Sequence, residues 1–243
     1  MYYDLNKSLV KSSLNPAYRM SNYVQTDYHS LAYHWAEEII KNPGASTNPW
    51  LLIGRKGAGK THLIQAVGNE ILELEPNTNV LYLSASDFEN LYLDAVKSEQ
   101  LPSFKKHFYS LDVLIVDDLQ NMSNRDALEM LIKVKRNLIK KHKQLIFATG
   151  SYDIFPAFPK QRIFTNKNCS GCWFDDWSVW DARQIIDKLS SDMPDKYKDF
   201  LARIMIDDFG ALKEALSVIN ATPDPDYEAM VNSITARFLS SRG

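Results

Sequence analysis

Apolar positions along the chain alternate between short continuous runs and stretches with helical spacing. Leu31, Ala32, Trp35, Ala36, Ile39 and Ile40 share one face of a helix predicted from Tyr28 to Lys41, which Asn42-Pro43-Gly44 ends. A short strand follows over Pro49 to Ile53, then a helix burying Leu63, Ile64, Val67, Ile71 and Leu74. Val80 to Leu83 reads as a second strand, and Ser86-Asp87-Phe88-Glu89 as a capping box opening a helix to about Glu99. Pro102 to Tyr109 is a further short helix. Val113-Leu114-Ile115-Val116 is apolar without alternation, as suits a strand covered on both faces of a parallel sheet. A helix capped by Ser123 and reaching Lys143 comes next, then strands over Gln144 to Thr149 and Gly171 to Phe174. Strands alternating with helices predict an α/β unit.

From Ser178 the pattern is helical only. The predicted helices are Ser178 to Leu189, Pro194 to Phe209, Ala211 to Asn220 and Asp226 to Leu239, with breaks at Gly210 and Pro223-Asp224-Pro225. The expected division is an N-terminal segment over 1–14, an α/β core over 15–176 and a small all-α domain over 177–243. Residues 1–27 lack clear periodicity and are expected on the surface of the core.

Composition narrows the function classes. A chain of 243 residues, 45% apolar and 24% charged, has ordinary globular values. No apolar run approaches a membrane span, and Met1-Tyr2-Tyr3-Asp4 lacks a signal-peptide pattern, so a soluble cytoplasmic protein without a membrane partner is expected. A net charge of −2 argues against holding DNA by bulk electrostatics alone. One local stripe stands out: Lys133, Arg136, Lys140 and Lys143 fall at i, i+3, i+7 and i+10. Cations at a helix C-terminus explain part of it, and a surface for single-stranded DNA is the sharper alternative. Cys169 and Cys172 form a lone C-x-x-C, which cannot complete a structural zinc site without two further ligands.

The chemistry concentrates in Gly54-Arg55-Lys56-Gly57-Ala58-Gly59-Lys60-Thr61-His62, where G-x-x-x-x-G-K-T follows a strand and opens a helix. Glycines let backbone N–H groups approach a polyphosphate, and the helix start adds unpaired N–H groups and a positive dipole end. Lys60 is expected on the β- and γ-phosphates and Thr61 on Mg²⁺, with Gly54, Gly57, Ala58, Gly59 and His62 completing the binding loop. Asp117 and Asp118 end the third strand, where open α/β sheets bind ligands. Asp117 is the expected second Mg²⁺ ligand, and Asp118 the carboxylate that orients or deprotonates an attacking water. Thr149 and Ser151, at the end of the fourth strand, are both placed to sense a γ-phosphate.

The order of these parts resembles the ATPase domain of the bacterial replication initiator DnaA and its truncated relatives. Asn15-Pro16-Ala17-Tyr18-Arg19-Met20-Ser21-Asn22-Tyr23-Val24 is similar to the family's N-terminal box, as are Asn48-Pro49-Trp50-Leu51-Leu52-Ile53-Gly54 and Gly59-Lys60-Thr61-His62-Leu63-Ile64-Gln65-Ala66-Val67-Gly68-Asn69 to later motifs. Val80-Leu81-Tyr82-Leu83-Ser84 and Asp112-Val113-Leu114-Ile115-Val116-Asp117-Asp118-Leu119-Gln120 continue the likeness, which is specific from about residue 14 to residue 150. The resemblance implies an AAA+ fold with strand order 5-1-4-3-2, a C-terminal helical lid, and ATP or ADP with Mg²⁺ between core and lid. It also implies that Tyr23 and Val24 help enclose the adenine.

Departures from the family pattern bear on activity. Asn166, within Arg162-Ile163-Phe164-Thr165-Asn166-Lys167, stands where the resemblance would place an arginine finger. Gly210 stands where it would place the lid's sensor arginine, Lys213 one turn later lacks the guanidinium fork, and Ser151 replaces the first-sensor Asp. An arginine finger is worth about 10³ or more in turnover, so slow hydrolysis by the chain alone is expected. The family's C-terminal helix-turn-helix DNA-binding domain and its N-terminal helicase-interaction domain are not expected within the chain, although residues 1–13 could hold a partner-binding segment. The function implied is an AAA+ switch in DNA replication that contacts the initiator's AAA+ domain or the replicative helicase. A helicase loader is the alternative reading, and homo-oligomers stay open. A P-loop small-molecule kinase would need an Arg-rich lid, which the C-terminal sequence does not offer. A nucleotide-free scaffold has no physical need for Lys60, Thr61 and Asp117.

Overall fold

The computed structural model describes residues 14–26, 29–45, 47–150, 170–174, 178–206 and 208–240. Five parallel strands, β1 Trp50–Ile53, β2 Val80–Ser84, β3 Val113–Asp117, β4 Gln144–Thr149 and β5 Ser170–Trp173, form one sheet in the order β2-β3-β4-β1-β5. This is the expected order. Every residue of β1, β3 and β4 is buried, which is why these strands read as apolar runs without alternation. The register sets Ile53 beside Thr149 and Ser84 beside Asp117, so the strands end level at their C-terminal edge.

Helices α1 Ser30–Lys41, α2 Lys60–Leu74, α3 Ala85–Lys97, α4 Leu101–Phe108 and α5 Arg125–Lys140 accompany the sheet. Phe88 of α3 packs edge-on against Phe104 and Phe108 of α4, with ring centroids 5.6 and 5.0 Å apart. Leu63, Ile64 and Val67 of α2 are fully buried. At Gly68 an added Cβ would lie 2.9 Å from a Leu14 methyl and 3.0 Å from Ile115 Cδ1, so a larger residue here would displace those side-chain ends.

Around α3 and α5 three element ends differ from the sequence expectation. The capping box that opens α3 uses Ser84 and Asp87 rather than Ser86 and Glu89, because the chain passes directly from β2 into the helix. Ser123 does not cap α5: its N–H and hydroxyl both donate to Glu89, at 2.7 and 2.8 Å, and Asn124 accepts the Ala127 N–H instead. Helix α5 stops at Lys140, and His142 adopts a φ of 56°. Lys143 therefore lies beyond the helix, and its ammonium pairs with Asp112 at 2.6 Å.

The described residues divide into two compact units. One takes the chain as far as Tyr23, then Leu31–Gly54 and Lys60–Trp173; the second takes Val24–Ser30, Arg55–Gly59 and the chain from Phe174 onward. In the second unit, α6 Val179–Leu189, α7 Asp195–Ile204, α8 Phe209–Asn220 and α9 Tyr227–Ser240 surround Ile185, Ile186, Leu201, Leu212, Leu216 and Ile219. The expected helix from Pro194 to Phe209 ends at Ile204, and Gly210 lies inside α8 rather than breaking it. Asp208 caps α8, so Gly210 occupies the first turn, where backbone N–H groups have no intrahelical partner to lose. No helix among the described residues is long and apolar enough to cross a membrane.

An ion network joins α6 to α7. Arg183 pairs with Asp187, Asp195 and Asp199, and the buried Lys198 ammonium donates to Asp187 at 2.9 Å and to the Ser191 carbonyl at 3.0 Å. Burial opposes ionisation of Asp187, but the hydrogen bonds from Lys198 and Arg183 outweigh it and hold the carboxyl below its usual range. A value depressed in the folded state gives stability that is present at neutral pH and lost as pH falls through the carboxylate range. Lys198→Met is expected to cost about 1–2 kcal/mol at neutral pH in urea unfolding, a loss that shrinks below about pH 4.

Candidate nucleotide-binding site

The site is built where β1, β3 and β4 end. The Gly54 N–H donates to the Thr149 carbonyl at 3.1 Å, pinning the start of the loop to β4. Gly57 and Gly59 adopt φ of 84° and 88°, a left-handed conformation that favours glycine, and the Ala58 N–H closes a turn onto the Arg55 carbonyl at 3.3 Å. Helix α2 begins at Lys60, so its first-turn N–H groups have no intrahelical partner. The Lys60 side chain is buried, and its ammonium donates to the Gly54 carbonyl.

One residue on, the Thr61 hydroxyl donates to Asp117 Oδ2 at 2.6 Å. Asp117 is 2% exposed and also accepts from the Tyr82 hydroxyl at 3.1 Å and from the Asp118 N–H at 2.8 Å. Burial pushes its pKa up, the Asp118 charge adds to the rise, and the hydrogen bonds from Thr61, Asp118 and Tyr82 pull it down. Burial likewise raises the Tyr82 phenol, with the Asp117 charge adding to it. Two hard oxygen donors, a hydroxyl and a desolvated carboxylate, suit Mg²⁺. Among the described residues no group of three His, Cys, Asp or Glu side chains could hold a metal. An ion placed here would therefore complete its shell with phosphate oxygens and water, as Mg²⁺ does.

Asp118 points elsewhere. It leaves β3 in the left-handed region, φ 52° and ψ 44°, and its exposed carboxylate accepts from Gln120 Nε2 at 2.9 Å. Gln120 Oε1 accepts from the Gly150 N–H at 2.7 Å and the Thr149 hydroxyl at 3.2 Å. Ser151, Arg162, Asn166 and Cys169 lie outside the described residues. Cys172 is buried in β5, where its sulfur accepts from Trp50 Nε1 at 3.4 Å and burial raises the thiol.

His62 turns away from the loop toward the segment before the sheet. Its Nε2 lies 2.9 Å from Asn22 Oδ1 and 3.2 Å from the Arg19 carbonyl, and its ring sits between Tyr18 and Tyr23. Farther along α2, Gln65 accepts the Asn15 N–H at 2.7 Å, Asn69 donates to the carbonyls of Asn15 and Tyr18, and Glu73 pairs with Arg19. Tyr23 is buried in this unit, whereas Val24 packs against the helical core of the other. Lys133, Arg136 and Lys140 are exposed along α5, and Lys213 is exposed on α8. Tyr82, Gln65 and Gln120 carry no role in the sequence reading. Their only signal is a polar side chain beside an apolar strand or a motif, which is too common to single them out.

This sheet order, with a glycine loop between β1 and α2 and a carboxylate closing β3, defines a P-loop NTPase of the AAA+ class. The profile of the family described as Bacterial DnaA ATPase domain matches residues 14–156, more than half of the chain, and the chain belongs to that family. The chromosomal replication initiator protein DnaA of Borreliella afzelii is 34% identical over 142 residues, covering 58% of this chain and 29% of that protein. Its counterpart from Chloroflexus aurantiacus is 36% identical over 124 residues, covering 51% and 26%. The chain thus spans less than a third of the length of these curated relatives.

Solved structures share the fold. Domain III of the Thermotoga maritima replication initiation protein DnaA superposes with a TM-score of 0.80 at 24% identity, covering 90% of this chain and 96% of that one. AMPPCP-bound DnaA from Aquifex aeolicus gives 0.79 at 24% identity, covering 89% and 68%. A replication initiator DnaA bound to AMPPCP and single-stranded DNA gives 0.78 at 22% identity, covering 87% and 67%.

The Asp117 environment generates a test that needs no ligand. A carboxyl whose folded value is raised contributes stability below its unfolded pKa, and that contribution is lost as pH rises through the raised value. Asp117→Asn is therefore expected to stabilise the ligand-free protein at neutral pH. The gain in thermal midpoint should narrow as pH falls through the carboxylate range. A variant less stable than wild type at neutral pH would show that this carboxylate is not held at a cost.

Proposed function

We propose that the chain is an ATP- or ADP-binding AAA+ switch of bacterial DNA replication that works through contacts with other replication proteins. The carrying observation is the 2.6 Å hydrogen bond between Thr61 and the buried Asp117. Membership of the DnaA ATPase family and the AMPPCP in two relatives of like fold support the same reading.

In this reading Lys60 exchanges the Gly54 carbonyl for β- and γ-phosphate oxygens, and the loop and first-turn N–H groups take the remaining phosphate charge. Thr61 and Asp117 would hold Mg²⁺, which would supply positive charge against the phosphates. Asp118 orients the attacking water, with the end of β4 nearby as the γ-phosphate sensor. The segment ending at Tyr23 and Val24 serves the base. The helical unit serves as the family's lid, with the α/β core over 15–176 and the lid over 177–243. Hydrolysis by the chain alone is slow, since Asn166 and Gly210 replace two arginines that the family pattern would supply. The compartment in keeping with this role is the cytoplasm.

Lys60→Ala is expected to weaken Mg-nucleotide binding about 100-fold, matching loss of a charge-assisted contact worth ~3 kcal/mol. Fluorescent-nucleotide titration checks it, and unchanged affinity would sink the reading. The basic stripe belongs to the same proposal as a surface for single-stranded DNA, carried by Lys133, Arg136 and Lys140 without Lys143. Changing those three to Ala should lower the salt dependence of DNA binding by a slope of about 2. Binding by the triple variant that matches wild type at every salt concentration removes the stripe from the function.

A further inference from the structure

We propose that Gln120 is the positioning residue that ties Asp118 to the end of β4, so that one amide sets the carboxylate facing the attacking water. The inference rests on the nucleotide reading above. Asp118 is exposed and sits in the left-handed region, where nothing in β3 fixes its side chain. The chain then makes one tight turn, Leu119–Asn121, closed by Asn121 N–H to the Asp118 carbonyl at 2.8 Å and Met122 N–H to the Leu119 carbonyl at 3.2 Å. Leu119 is fully buried and anchors that turn in the core. Gln120 is thereby held with its amide between Asp118 and β4.

The amide has one workable orientation. The Gly150 N–H can only donate, so the oxygen faces it at 2.7 Å, and the nitrogen is left to donate to Asp118 at 2.9 Å. The Thr149 hydroxyl adds a second donor to the same oxygen at 3.2 Å. A carboxylate at this place could satisfy β4 but would repel Asp118, and a hydrocarbon could do neither. Gly150 makes room: an added Cβ would come within 3.3 Å of Gln120 Cδ. A shift of the β4 end therefore moves Asp118 through a rigid planar group.

The step affected is attack of water on the γ-phosphorus. The new P–O bond forms as the water's proton passes to the Asp118 carboxylate. The bond from the γ-phosphorus to the β-bridging oxygen breaks, and its electron pair leaves with ADP. Misplacing the carboxylate slows this step without loosening the grip on phosphates, which belongs to Lys60, Thr61 and the loop.

The test compares wild type, Gln120→Leu and Gln120→Glu, each alone and combined with Asp118→Asn. The readouts are Mg-ATP affinity and the single-turnover hydrolysis rate constant at saturating ATP. Both single variants should bind Mg-ATP within about threefold of wild type and hydrolyse it about tenfold or more slowly. Neither should slow Asp118→Asn further, because a residue acting through Asp118 has nothing left to position. If Gln120→Leu does not fold, Gln120→Glu, which keeps the acceptor for Gly150, carries the comparison. Rates within twofold of wild type, or a loss that adds in full to that of Asp118→Asn, overturn the proposal. So does a wild-type protein that binds Mg-ATP but shows no turnover. Failure of wild type to bind Mg-ATP overturns the nucleotide reading itself.

Discussion

A carboxylate withdrawn from water at the end of β3 governs the arrangement around it. Asp117 is satisfied by three donors from three places: Thr61 on α2, Tyr82 on β2, and the amide of its own neighbour. Each donor fixes the element that carries it. Thr61 ties the start of α2 to β3, Tyr82 ties β2 to β3 above their backbone ladder, and the Asp118 amide bends the chain out of the strand. All three donors are neutral groups, and burying a charge on such terms costs stability. That cost fits a site whose countercharge arrives with a ligand.

Much of the fold is legible in the sequence because burial is so complete. Val113 to Val116 and Leu145 to Ala148 are apolar on both faces, and only a sheet covered on both sides asks for that. Helix ends are less legible, because competing polar side chains lie within two residues of each other. Ser84 and Ser86 are each followed three residues on by an acid, and the choice falls to where β2 releases the chain. Ser123 and Asn124 compete likewise, and a glutamate from α3, thirty-four positions away in sequence, takes Ser123 out of the contest.

The candidate site divides along the same line. Lys60, Thr61 and Asp117 are readable because their chemistry requires fixed spacing next to a strand. Tyr82, Gln65 and Gln120 act through distance contacts that leave no spacing to find. His62 is instructive: adjacency to Thr61 suggests a phosphate contact, yet the helix turns each successive side chain by about 100°, which aims the imidazole at Asn22. Lys143 fits the i, i+10 stripe only on a helix that continues, and the left-handed His142 ends it first.

His62, Gln65, Asn69 and Glu73 recur at intervals of three and four along α2, a polar seam on a helix whose opposite side is sunk in the sheet. The chain from Asn15 to Asn22 is laced to that seam mainly by hydrogen bonds and one ion pair. Water can replace such fastenings at small net cost, whereas it cannot replace the apolar seat of Leu63, Ile64 and Val67. The strap and the helix beneath it thus have different strengths. As denaturant is raised, the strap is expected to come away while the helix remains docked.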